Sequence, residues 1–434
     1  MKRAALLALS LSALVGCGAD IVSGVADAAA DDTPDADLAF FDARVASPDV
    51  RDAAVREASS VYPAFRPTQP TVVSSGGPVL RAPRLVPVWV SGADGAPSPD
   101  EGMLMEFLRQ YMASETWLSQ VSEYGVGAGT VLDAVHSNGA GLPAGTFSAA
   151  LLRTWIQTQF ERGAWGEYAD DTLFVVMLDH ARQVQSGNDA TCQGIGGFHS
   201  DLRDVERHPL AYALIPDCGQ GLDTLTRVIS HELVEAVTDP YPNIAPAYYQ
   251  PSTTSPPEGQ WAIAYTGGEV ADMCEHRNDA SLRPADVEFE VARSWSNRAA
   301  AAMRDPCVPT AASSVYFNAA PTLPEVVMVA TPVSLRAVSA QGLVIPVGES
   351  RTLDVQLFST APTRGEWRVA AREMTFRGES PAFNFRWDRA SGFNGDVLHL
   401  TITARDDAPL GRTFKITSSL GYSSTEWVGA LTTP

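Results

Sequence analysis

The stretch Ser230-His231-Glu232-Leu233-Val234-Glu235-Ala236-Val237-Thr238-Asp239-Pro240 has the pattern of the second half of an amphipathic helix. Leu222, Leu225, Ile229, Leu233 and Ala236 recur three or four apart and make one apolar stripe. Asp223 or Thr224 is the expected N-cap, and Pro240 stops the helix from continuing. Residues four apart sit one turn above each other. His231 and Glu235 therefore aim an imidazole and a carboxylate at one point. Glu232 lies rotated to the side of that point.

Two ligands four apart, with an acid after the first, have the layout of the His-Glu-x-x-His zinc peptidase helix. Here the second ligand is a carboxylate. Zinc takes nitrogen or oxygen donors, so the change keeps the chemistry. A bare His-Glu-x-x-Glu also fits a surface helix with an acidic wet face. Two features favour the metal. The helix is otherwise apolar, so its charge is concentrated on one side. Downstream, Gly267-Gly268-Glu269-Val270-Ala271-Asp272-Met273-Cys274 adds two carboxylates three apart. Zincins whose third ligand is a Glu carry it on a later helix, often with an Asp that orients a metal-bound histidine. The expected ligands are thus His231, Glu235 and Glu269, with Glu232 as catalytic base and Asp272 as the orienting group or an alternative ligand. His199, in the Gly-rich run from Gly194 to Ser200, is a second alternative ligand; a strand-end histidine on an exposed face is the plainer reading. Asp239 is assigned to helix capping or turn chemistry before Pro240. Zinc is the expected metal, with calcium as the alternative.

These segments together resemble a family. His-Glu-Leu-x-Glu-Ala-x-Thr-Asp-Pro followed by Glu-Val-Ala-Asp-x-Cys is similar to the phosphate-induced, EXORDIUM-like extracellular proteins and their bacterial lipoprotein relatives. So are Gly197-Phe198-His199, Tyr212-Ala213-Leu214-Ile215-Pro216 and Gly76-Gly77-Pro78-Val79-Leu80. The resemblance spans about residues 74 to 310. It implies a zincin-like fold and an extracellular setting, and it implies no reaction. The chain departs from the pattern in a Pro/Tyr/Ser-rich insertion, Tyr241 to Gln260, and in its C-terminal extension. Proximity in sequence and the resemblance pair Cys192 with Cys218 and Cys274 with Cys307. Four cysteines allow three pairings, and spacing alone does not choose among them.

The 434 residues carry a formal charge of −20 at 45% hydrophobic content. That content supports two globular domains, and the charge argues against nucleic acid and anionic lipid surfaces as partners. Residues 1–16 read as a lipoprotein signal peptide: Lys2 and Arg3, an apolar run too short to span a bilayer, then Leu14-Val15-Gly16-Cys17. Cys17 is the expected lipidation site, which makes the membrane a partner through the anchor and places the protein in the bacterial cell envelope, at the outer membrane or cell surface. Residues 17–73 read as a disordered Ala/Asp/Pro-rich tether. Residues 74–310 read as an α/β (α+β) zincin-like metal-binding domain. Its strands are expected at Arg84 to Val90, Thr172 to Leu178 and Ala211 to Ile215. Its helices are expected after a Ser98-Pro99-Asp100-Glu101 capping box and over Phe147 to Phe160. Residues 311–434 read as an all-β immunoglobulin-like sandwich, with alternating runs such as Thr352 to Phe358 and Val397 to Thr403, and a hairpin turn at Asn394-Gly395.

Two functions follow from this reading. One is a zinc-dependent, peptidase-like hydrolase using metal-activated water. The other is a non-catalytic surface or adhesion protein with a degenerate or structural metal site and a sandwich that binds a partner or glycan.

Overall fold

A computed structural model describes residues 59–434 apart from 92–97, 99, 167–168, 188, 204–207, 250–255, 265–267, 312–313, 331–336 and 376–379. The signal segment, Cys17 and most of the tether lie outside the described residues.

Apolar strands alternating with amphipathic helices build the first domain. Strands β1 (Arg84–Val90), β2 (Thr130–Val131), β3 (Val135–Ser137), β4 (Thr172–Leu178), β5 (Phe198–Arg203) and β6 (Pro209–Pro216) share one sheet. Its order is β2-β1-β4-β6-β5, with β3 also on β1. The pairs of β1 with β2, β3 and β4, and of β4 with β6, are parallel. The edge strand β5 runs antiparallel to β6. Every residue of β4 is buried, as in a sheet covered on both faces. Side chains alternate between two cores. Leu173, Val175, Ala211 and Ala213 join the core of helices α1 (Glu101–Ala113) and α3 (Leu222–Thr238). Phe174, Val176, Tyr212 and Leu214 join that of α2 (Ala149–Glu161).

Three local expectations are corrected. Helix α3 begins at Leu222 on Gly221, whose φ of 85° suits glycine, so Asp223 and Thr224 lie inside the first turn and do not cap it. Asp223 still favours the helix dipole there, and it pairs with Arg283 at 2.8 Å. Helix α1 has Asp100 at its N-cap without a side-chain cap bond, and Glu101 closes no capping box. Glu101 is drawn to His136, 2.8 Å away. Phe147 belongs to a short strand, and Ser148 caps α2 by accepting from the Leu151 amide at 3.2 Å.

The second domain is a β-sandwich. Its strands are β7 (Phe317–Pro321), β8 (Glu325–Ala330), β9 (Ala337–Val344), β10 (Ser350–Ser359), β11 (Trp367–Met374), β12 (Phe383–Trp387), β13 (Ser391–Gly392), β14 (Val397–Ala404), β15 (Arg412–Leu420) and β16 (Ser423–Thr432). One sheet runs β7-β10-β14-β12 and the other β8-β9-β16-β15-β11-β13. Val355, Leu357, Leu398 and Leu400 from the first meet Trp367, Phe414 and Ile416 from the second. Asn394-Gly395 is not a hairpin turn. It joins β13 to β14 across the two sheets, and Gly395 takes a φ of 92°. Asn394 is buried, and its side chain accepts from the Ala64 and Ser359 amides and donates to the Val61 carbonyl. The end of the expected tether is thereby docked: residues 59–64 lie on the sandwich, and Val72 exchanges two hydrogen bonds with Asn297 of the first domain.

The domains share a core. Helix α4 (Pro256–Ala264) buries Trp261, Ala262 and Ile263 against Val338 and Ala340 of β9 and Val428 and Ala430 of β16. Gln260 accepts from the Gln341 amide and donates to the Val428 carbonyl. A Cβ at Gly259 would overlap the Ser339 carbonyl oxygen, so only glycine allows this approach. The end of the Tyr241 to Gln260 stretch and the C-terminal domain thus pack against each other. The disulfides Cys192–Cys218 and Cys274–Cys307 are both present. Among the described residues no helix is long and apolar enough to cross a membrane.

Candidate metal centre

Helix α3 turns its apolar side to the sheet and its acidic side to β5 and the segment from Gly268 to Glu275. The register of β5 explains why His199 joins it. His199 pairs with Ala213 and Asp201 with Ala211, so both polar side chains share the face that looks toward α3. Asp201 accepts from the amides of Asn243 and Ile244, which ties down the chain just after the helix. His199 is buried and stands among carboxylates. Its Nδ1 lies 3.8 Å from Glu235 Oε2 and 3.9 Å from Glu232 Oε2, and its Nε2 lies 3.5 Å from Glu269 Oε1.

The tautomer of His199 follows from a further contact. Its Nε2 sits 3.1 Å from the backbone oxygen of Asp239. A carbonyl oxygen only accepts, so Nε2 carries a proton. In the neutral ring, Nδ1 is then a lone pair facing two carboxylate oxygens. Glu232 Oε2 has no hydrogen-bond partner, although Glu232 is only 1% exposed. Three electron-pair donors converge there, and a positive charge makes such an arrangement stable.

Glu235 is the hinge between the two histidines. Its Oε1 lies 3.3 Å from His231 Nε2 and accepts from the Asp272 amide at 3.3 Å. His231 Nε2 is also 3.5 Å from Asp272 Oδ1. Asp272 accepts from the Glu269 amide at 2.9 Å and so fixes that segment. The expected ligand set is therefore shared among three groups whose ligand atoms lie within 4.8 Å of one another. Glu235 groups with His199 and Glu232, Glu269 with His199 and Asp239, and His231 with Asp272 and Glu275. Glu275 was not singled out in the sequence; it stands three residues after Asp272 on a short helical turn, α5 (Asp272–Glu275), a spacing that puts both on one side. Asp239 ends α3 as expected, and it also aims His199 and accepts from the Ala247 amide.

The electrostatics carry the same imbalance. Burial pushes Glu232 up, opposed by His199 and His231. Burial and the carboxylates of Glu235, Asp239 and Asp272 push Glu269 well up. Asp239 is raised to about 6 by burial. Burial opposes protonation of both histidines, yet the surrounding carboxylates outweigh it and raise both. Six carboxylates thus face two imidazoles, and protons or a cation must offset the excess.

A cleft of about 750 Å³ opens onto this centre. His231 and Glu232 line it, with Gly196, Gly197, Glu275 and His276. A Cβ at Gly197 would stand 3.0 Å from Glu232 Cγ and Oε1, so glycine lets the strand pass close to that carboxylate.

No family model matches the chain, and no curated protein does. Solved structures that resemble it do so over a minor part. Domains 1–6 of the surface layer protein SbsC share 12% identity over 26% of this chain and 13% of that one, at a TM-score of 0.17. Domains 4 and 5 of SbsC share 10% over 33% of this chain and 90% of that one, at 0.17. Titin M4 shares 13% over 27% of this chain and 95% of that one, at 0.16. At such scores these similarities carry no argument, and function is read from the site.

Proposed function

We propose that the chain is a metal-dependent hydrolase of peptidase type, built on a zincin-like domain with an immunoglobulin-like sandwich beside it. The observation that carries the reading is the convergence of His199 Nδ1 with Glu232 and Glu235 beside a cleft lined by His231 and Glu232. Imidazole nitrogen mixed with carboxylate oxygen suits zinc, whereas calcium favours six to eight oxygens. His199 and Glu235 would hold the metal, with Glu269 and His231 of the adjoining groups as the further ligands. When bound, zinc supplies a Lewis acid and lets water react near neutral pH.

The protein groups do the rest. The Asp239 carbonyl holds the Nε2 proton of His199, which keeps Nδ1 turned to the carboxylates. The Asp272 amide holds Glu235 in place. Glu232, raised by burial and without a hydrogen bond on Oε2, takes the proton of the attacking water and delivers it to the leaving amine. A lipid on Cys17 would carry this domain in the cell envelope, and the two disulfides suit an oxidising compartment.

The burial of Glu235 and Glu232, 0% and 1% exposed, favours a second reading in which the cation is structural and the cleft binds a partner or glycan. One experiment separates the two. Elemental analysis of the purified protein should find about one zinc per chain, lost in Glu235→Ala, and a peptide-library digest should stop on chelation and resume with zinc. Metal without digestion favours the structural cation, and absence of metal sinks both.

A further inference from the structure

The cleft at His231 and Glu232 is walled by both domains, and five cationic side chains line it against two carboxylates, Glu232 and Glu275, although the chain carries a net charge of −20. Arg227 stands four residues before His231 on α3, one turn away on the same face. The sandwich contributes Arg372, Met374, Thr375 and Lys415. Arg372 and Lys415 are cross-strand partners, so both side chains project from one face of the sheet. Arg277 and Arg293 complete five cations around the cleft.

Three of these five are engaged. Arg277 and Arg293 are bound to Asp279 and Asp305, and Lys415 Nζ is bound to Glu426. Arg227 and Arg372 have no ion pair among the described residues. Arg227 is half-buried on α3, and Arg372 is exposed on the opposite domain. Guanidinium groups take a carboxylate through two parallel hydrogen bonds, a geometry no single lysine offers. A cleft of about 750 Å³ holds a short stretch of peptide.

We propose that Arg227 and Arg372 together hold a carboxylate of a peptide substrate, at its free C-terminus or on an acidic side chain, and so set which bond faces Glu232. The inference rests on the hydrolase reading for its use in turnover, but the binding it describes stands or falls separately. An acidic chain repels anions at long range, and a pair of uncommitted guanidiniums inside the cleft is what would admit one. The sandwich then acts as one wall of the specificity pocket.

The test uses the full chain carrying Glu232→Gln, so that binding is read without turnover. Three N-acetylated, unlabelled alanine peptides are compared by isothermal titration calorimetry: one with a free C-terminus, one amidated, and one amidated with an internal Glu. The expected result is binding of at least one carboxylate-bearing peptide about tenfold or more tighter than the amidated neutral one, the size of one charged hydrogen bond. Arg227→Ala and Arg372→Ala should each erase that preference, whereas Arg283→Ala, whose side chain is paired with Asp223 outside the cleft, should keep it. Which carboxylated peptide binds tells terminus from side chain. Equal binding of all three peptides, no binding of any, or an unchanged preference in both arginine variants overturns the proposal. Parent protein that hydrolyses neutral and acidic peptides alike sinks this inference and leaves the hydrolase. Carboxylate-dependent binding with no hydrolysis of any peptide does the reverse.

Discussion

Glu232→Gln should lower peptide hydrolysis by about 10²–10⁴-fold, the usual contribution of a positioned general base, while zinc content stays at its parental value. The substitution is nearly isosteric and keeps one oxygen, so packing against Gly197 and the sheet is preserved. What it removes is the ability to accept a proton. A variant that loses its zinc as well would make Glu232 a ligand, which its grouping with His199 and Glu235 also allows. A variant that retains full turnover would remove the base from the mechanism. The informative measurement is therefore kcat and metal content on the same preparation.

Asp305→Asn should cost about 3–5 kcal/mol of unfolding free energy, the range for breaking a buried ion pair from one side. Asp305 is buried and binds Arg277 Nη1 at 2.6 Å and Arg293 Nη2 at 2.6 Å, and it also accepts from the Cys307 amide at 3.1 Å. Asparagine would leave two buried guanidiniums with Asp279 as their remaining carboxylate partner. The effect has a signature in pH. Burial alone would raise the Asp305 pKa, but Arg277 and Arg293 outweigh it and hold the carboxyl below its usual range. The folded pKa is thus below the unfolded value of about 3.9. The stabilisation is complete above about pH 4 and fades as pH falls through the folded value. Denaturant titrations of parent and variant should differ most near neutrality and converge at strongly acid pH. A constant difference across that range would mean that shape, not charge, is what asparagine disturbs.

Much of the first domain is legible because its signals are local. Arg84–Val90 and Thr172–Leu178 are strands over the residues that the apolar runs mark. Leu225, Ile229, Leu233 and Ala236 of the α3 stripe are buried as their spacing requires and Leu222 only partly so, although the helix start was set by the backbone freedom of Gly221 and not by a polar cap. The centre is legible only in part. His231, Glu232 and Glu235 are one turn of one helix, so periodicity suffices to bring them together. His199 reaches them through a strand pairing, and the signal was present: His199 and Asp201 alternate with Phe198, Ser200 and Leu202, which marks two polar groups on one face of an edge strand. The part played by Arg372 has no local signal. It depends on how β11 is carried to the cleft by the packing of α4 on the sandwich, a contact between residues some 80 positions apart, as in Gln260 with Gln341.

That packing has a consequence for how the molecule comes apart. Trp261 and Ile263 lie in a single apolar cluster with Val338 and Val428, so melting either half uncovers the buried flank of its neighbour. Scanning calorimetry should record one endotherm, with no separate step for the C-terminal module. Chain severed near residue 311 should not leave two soluble halves but a sticky first one, because the surface that α4 covers and is covered by has no other shelter from water.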